Sequence, residues 1–356
     1  MSTSSDFTIE QVADLPDAVD DTRAREHRHP DGQYWIYVFG GRVNETGQSD
    51  KLARFNPETR EVEVHMNFPI ANSHPVVGKV GNLFYTIAGT QTSNIYEVDV
   101  EAQTITNVAD AGGAYADHMG YDLDGQILFW QGAGSDLGAV KKFDPSDYSV
   151  TTVNSNPPPI QDGGAVKFDG DLYSIGGNDG NGNYQSDVYR IRNSGSWEKV
   201  GDLTLDGSNF TLGRVRPAAT SEFIYTVGGR VSQGSGDTGI IDEVYQIDPS
   251  TWEMNLIGTL DVIAEDTQVA FSNSNGYLYE LGGANSSSAY TDIWEIRSDT
   301  FQANRCILLR DDLGLRGQNV AGDERVVMYS ETAARTETGE RAGDNLILSV
   351  PELGQN

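Results

Sequence analysis

The chain has 356 residues, 53 acidic against 24 basic for a formal charge of −29, and 40 glycines where ordinary usage of about 7% would give roughly 25. So acidic a surface repels nucleic acid and anionic lipid, and neither is expected as a partner. The glycine excess points to a turn-rich all-β chain, and the single Cys306 excludes an internal disulfide and a thiolate zinc cluster.

Only six of the 24 basic residues are lysine. Lysine depletion with this much carboxylate resembles proteins of salt-in halophiles, whose molar salt screens repulsion over ~3 Å. No apolar run reaches the ~18 residues of a membrane helix. Met1 to Glu10 has neither a basic start nor an apolar core, so secretion by a standard leader is not expected.

In chain order, the first strand is FTIEQVADLP, Phe7 to Pro16. An apolar strand ending in glycine then recurs: YWIYVFGG from Tyr34, LFYTIAG from Leu83, ILFWQGAG from Ile127, LYSIGG from Leu172, FIYTVGG from Phe223 and YLYELGG from Tyr277. The final glycines at 41, 89, 134, 177, 229 and 283 mark one supersecondary unit per step. After each comes an alternating strand: KLARFNP at Lys51, NIYEVDV at Asn94, AVKKFDP at Ala139, DVYRIRN at Asp187, EVYQIDP at Glu243 and DIWEIRS at Asp292. Alternation predicts one face on a core and one exposed. A third strand is anchored by an apolar residue seven positions after the aromatic, as from Phe55 to Val62, Phe143 to Val150, Tyr245 to Trp252 and Trp294 to Phe301.

A seventh, degenerate unit reads as RVVMYS from Arg325 and NLILSV from Asn345. It lacks a fourth strand, and the N-terminal strand resembles the fourth strands elsewhere, such as WEKVGDL at Trp197. The expectation is therefore one domain over 1–356: strand 7–16 completes the last blade, and units span 17–73, 74–111, 112–159, 160–205, 206–262, 263–312 and 313–352.

These motifs resemble the kelch repeat family: an apolar strand, a Gly-Gly pair, then spaced aromatics on the next two strands. The resemblance implies an all-β, seven-bladed β-propeller whose last blade is closed by the N-terminal strand, which removes free sheet edges. The second and third units depart from it, with Ala88-Gly89 and Gly132-Ala133-Gly134 in place of the pair.

Chemistry-bearing motifs are sparse. His27-x-His29 could hold a metal from one strand face but reads as solvated surface, and no metal or cofactor is expected. Kelch-type copper radical oxidases need a cysteine-linked tyrosine and histidine ligands, and Cys306 has no histidine near it in sequence. Ser235-Gly-Asp-Thr-Gly239 half matches a sialidase box and reads as a turn. Gly234-x-Gly236-x-x-Gly239 precedes a strand and not a helix, so it offers no dinucleotide site. Asp179-Gly-Asn-Gly-Asn183 starts like a calcium loop but lacks its later glycine and glutamate. No catalytic residue is assigned.

Four long loops follow the glycine strands: Arg42 to Asp50, Asn178 to Ser186, Arg230 to Ile240 and Ala284 to Tyr290. In a propeller such loops open on one face around the channel. Arg42, Tyr184, Arg230 and Tyr290 are the candidate binding residues, since arginine and tyrosine anchor recognition surfaces. Asn44, Asn209 and Asn285 lie in glycosylation sequons. The expected function is a non-enzymatic recognition module, a structural or receptor-binding subunit of a larger assembly such as a haloarchaeal virus particle, displayed on a virion or cell surface. Its partners would be other protein subunits or a cell-surface protein or glycan, without membrane insertion. The alternatives are an intracellular kelch scaffold in the cytoplasm, or a sugar-active enzyme similar to sialic acid mutarotases or sialidases that uses the channel face.

Overall fold

The structure, a computed structural model, describes residues 7–43, 47–113, 119–130, 139–179, 181, 183–232 and 238–298, together with the backbone of 316–319, 326–329, 340–342 and 345–348. The chain divides into two compact units, residues 1–299 and 300–356. Cys306 and Phe301 lie outside the described residues.

The first unit is a ring of six four-stranded antiparallel blades. From inside outwards, the first blade consists of Arg23–Arg28, Tyr34–Phe39, Lys51–Phe55 and Val62–Asn67. The innermost strands that follow are Val76–Val80, Met119–Leu123, Gly164–Phe168, Ala218–Ala219 and Gln268–Phe271. Each packs beside the next, and Gln268–Phe271 packs beside Arg23–Arg28, so six blades close the circle.

Two expectations are corrected here: the propeller has six blades and not seven, and the closing strand belongs to the sixth. Phe7–Asp14 pairs antiparallel with Asp292–Ser298, from Phe7 opposite Ser298 to Asp14 opposite Asp292. That pairing supplies the sixth blade's fourth strand from the N-terminus. The residues read as a seventh blade form a four-stranded sheet of their own within the second unit, in the order Arg316–Asn319, Val326–Tyr329, Asn345–Leu348, Glu340–Ala342. The ring closes without it.

The Gly-Gly pairs join neighbouring blades. A Cβ on Gly40, Gly176, Gly228 or Gly282 would lie 2.0 to 2.5 Å from the main-chain oxygen of Asn72, Leu212, Ala264 or Val19 respectively, each in the segment that leads into the next blade. The second glycine donates its N–H to the same oxygen, at 2.7 to 3.0 Å in all four cases. The first glycine also sits at φ +56 to +71°, where a side chain is strained. Ala88 adopts the same backbone conformation, at φ +53°.

Aromatic side chains fill the wedges between blades. Phe39 meets Phe84 at 5.3 Å between ring centroids, Tyr85 meets Phe143 at 5.3 Å, Trp130 meets Trp197 at 5.1 Å, and Tyr173 meets Trp252 at 5.3 Å. Phe55 and Tyr279 meet at 5.0 Å across the closure between the sixth and first blades. Such pairs contribute about 0.5–1.5 kcal/mol each beyond the area they bury. Trp252 differs from its reading as a strand anchor: it stands in the turn before Met254–Thr259, at φ +63°.

Candidate functional site

In five of the six blades, the described lead-in segment brings one polar residue in the left-handed conformation to the same end of the ring. Asp21, His74, Asp162, Arg214 and Asp266 all have φ between +51° and +57°. Their main chains are linked in series around the channel. Arg214 N–H donates to Asp162 C=O (2.6 Å), Asp266 to Arg214 (2.9 Å), Asp21 to Asp266 (3.3 Å) and His74 to Asp21 (3.0 Å). A left-handed non-glycine residue costs on the order of 1 kcal/mol, which these shared hydrogen bonds offset.

The residue after each Gly-Gly pair lies beside this belt. Arg42 bridges Asp20, Asn178 bridges Gln161, Arg230 bridges Gly213 and Ala284 bridges Glu265. The long loops therefore start around one channel mouth.

There the side chains form one connected network. Arg230 Nε and Nη2 grip Glu265 at 2.5 and 2.7 Å. Arg214 Nη1 reaches Glu265 at 3.5 Å and Asp266 at 3.1 Å. Arg216 Nη2 stands 3.5 Å from Asp266 and 3.4 Å from Asp21. Asp21 also receives His74 Nε2 at 2.8 Å and lies 3.5 Å from Arg42, which grips Asp20 at 2.6 Å. The carboxylates are buried, at 2 to 7% side-chain exposure, while Arg42, Arg214 and Arg230 keep 34, 30 and 25%. Arginine forks thus show one edge to solvent and spend the other on fixed carboxylates.

Burial and then the charge of Asp21 push the Asp266 carboxyl well above the ordinary carboxylate range. Burial also raises Asp21, but His74, Arg216 and Arg42 outweigh it and hold that carboxyl well below the range. Burial, opposed by the Arg42 hydrogen bond, leaves Asp20 raised. Arg42, Arg214, Arg216 and Arg230 thus lie against five carboxylates, Asp20, Asp21, Asp162, Glu265 and Asp266.

His74 completes a hydroxyl–imidazole–carboxylate series, its Nδ1 lying 3.0 Å from Ser73 Oγ. Ser73 is 1% exposed and its hydroxyl also meets Thr90 Oγ1 at 2.8 Å, so it orients the imidazole and is not placed to attack a substrate.

Of the four candidate binding residues, Arg42 and Arg230 stand in this network. Tyr184 is buried, not displayed: its ring lies against Gly213, where a Cβ would come within 2.3 Å, and burial pushes its hydroxyl up to about 12. Tyr290 is half-buried, and its hydroxyl donates to Ile263 C=O at 3.0 Å. Asn209 is exposed in a two-residue hairpin, Asn285 accepts from the N–H groups of Ser287 and Ser288, and Asn44 lies outside the described residues. The Asp179 loop spends its carboxylate internally on Asn181 N–H and on the side chain of Asn183. His27 is buried and not solvated. The cleft between the first and second blades, lined by Phe39, Phe68, Ile70, Pro75 and Tyr96 among others, holds no charged group.

Sequence reasoning missed Asp20, Asp21, His74, Asp162, Arg214, Arg216, Glu265 and Asp266. Their one signal is positional: a polar residue stands immediately ahead of the inner strand in blade after blade.

The fold defines a six-bladed β-propeller. Among solved structures, that of YjhT is similar, with a TM-score of 0.62 and 11% identity, covering 79% of this chain and 96% of that one. At this identity the likeness shows the fold alone. No protein-family model and no curated protein matches the sequence.

Proposed function

We propose that the protein is a recognition module that binds a hydroxyl-rich ligand, a saccharide above all, at the channel mouth. The observation that carries this reading is the alternation of partly exposed guanidiniums with carboxylates from the first, fifth and sixth blades around one opening. A sugar hydroxyl accepts hydrogen bonds as well as donating them, so neighbouring hydroxyls match the solvent-facing guanidinium edges that the buried carboxylates hold in place. A strongly anionic ligand fits less well, because every arginine here already faces a carboxylate. The surrounding −29 charge also repels anions. Glycan-array binding by the wild type and by Arg230→Ala tests it: saccharide binding lost in the variant supports the reading, and a wild type that binds none overturns it.

A second reading, an enzyme of sugar chemistry at the same mouth, is favoured by the His74–Asp21 pair. Asp21 at 2.8 Å from Nε2 and Ser73 Oγ at 3.0 Å from Nδ1 hold the imidazole as the centre of a proton relay, the arrangement acid–base chemistry uses. Anomer interconversion of candidate sugars, followed by NMR with wild type and His74→Asn, separates an enzyme from a binder.

A further inference from the structure

Three of the five histidines gather around Tyr37, where the first blade meets the second. The His65 ring lies 5.4 Å from the Tyr37 ring, His29 Nε2 is 2.8 Å from the Tyr37 hydroxyl, and the His27 and His29 rings are 5.0 Å apart and perpendicular. His27 lies near the end of the innermost strand Arg23–Arg28 and His29 just past it, two residues on. Glu101 comes from the turn after Asn94–Asp99 of the second blade, and its Oε1 is 2.9 Å from His27 Nε2. One ligating atom from each of His27, His29 and Glu101 lies within 4.8 Å of the others.

We propose that His27, His29 and Glu101 form a binding site for a divalent transition-metal ion, zinc in the first instance. Two imidazoles and one carboxylate are a known three-ligand zinc donor set that leaves a fourth position for water. Bonds of about 2.0–2.1 Å in tetrahedral array place ligand atoms roughly 3.4 Å apart, so the three groups need only small adjustments. The buried His27 Nδ1 has no hydrogen-bond partner, so the Nε2 side, toward Glu101, is that ring's polar outlet. The Tyr37 hydroxyl fixes the His29 ring, as outer-sphere partners of metal-bound histidines do. His27 stands at the far end of Arg23–Arg28 from the mouth, on the order of 15 Å away along a strand. The site joins two blades and is independent of the mouth network.

Equilibrium dialysis of the full chain against zinc in excess magnesium suppresses weak uptake by scattered surface carboxylates. The expected result is one retained zinc per chain, with affinity falling at least tenfold in His29→Ala and in Glu101→Gln, and about tenfold in Tyr37→Phe. His29 and Glu101 are not fully buried, so their variants retain the fold where His27→Ala would not. No retained zinc, or retention unchanged in His29→Ala and Glu101→Gln, would overturn the proposal.

Discussion

The main-chain N–H of Asp21 donates to the carbonyl of Asp266 at 3.3 Å, so the first blade is held to the sixth at the channel mouth by the same kind of bond that joins the fourth blade to the fifth, the fifth to the sixth and the first to the second. Deeper along that boundary, Glu26 accepts from Ser272 Oγ and Asn273 Nδ2, each at 2.7 Å. Phe55 packs on Tyr279 nearby, and Arg60 reaches both Glu10 and Glu295 at the outer edge.

Closure therefore carries stability. Phe55→Ala should cost about 3–5 kcal/mol, and Glu26→Ala about 1–3 kcal/mol because Ser272 and Asn273 lose a buried acceptor. Removal of Phe7–Asp14 should expose Asp292–Ser298 as a free edge and promote association. Chemical denaturation and light scattering measure these effects; a truncated chain that stays monomeric with wild-type stability would contradict the closure.

The glycine contacts between blades are separable from backbone strain. Gly176→Ala places a Cβ 2.0 Å from Leu212 C=O at φ +58°, whereas Gly170→Ala meets the strain at φ +80° in open space. The first should lose at least about 3 kcal/mol and the second about 1–2 kcal/mol. Equal losses in thermal denaturation would show that the close approach contributes nothing.

Glu280 predicts a pH effect of definite sign. It is buried, neither carboxyl oxygen has a hydrogen-bond partner, and burial followed by the charge of Asp292 raises it well above the ordinary range. A raised folded-state value gives stability that is fully present below the unfolded value and lost as pH rises through the folded one. Glu280→Gln should match wild type near pH 4 and exceed it increasingly as pH rises above the unfolded value, by up to about 1.4 kcal/mol per pH unit until the folded-state carboxyl ionises. Parallel stability–pH curves would refute this assignment.

Much of the fold was legible because its determinants recur. The six glycine strands are read from their recurrence, the strands after them from period-2 patterning, and the N-terminal outer strand from its likeness to Trp197–Asp202. The blade count was not legible: RVVMYS and NLILSV carry strand patterning, and patterning does not say which sheet a strand joins. Arg42 and Arg230 were found through the Gly-Gly pairs they follow. Their carboxylate partners were hidden among 53 acidic residues, because what singles out Asp21 or Asp266 is a left-handed backbone and a neighbour from another blade. Tyr184 was misjudged since Gly213, which makes room for its ring, lies in the next blade.

Isothermal titration of the saccharide that binds best, against wild type, Arg42→Ala, Arg230→Ala and the third-strand control Arg190→Ala, tests the mouth most directly. The account predicts a loss of about 10–100-fold, or 1.4–2.8 kcal/mol, in both mouth variants, with Arg190→Ala unchanged because Arg190 pairs with Asp171 and Glu198 within its own blade. Binding that survives both mouth substitutions, or falls equally in Arg190→Ala, would contradict it.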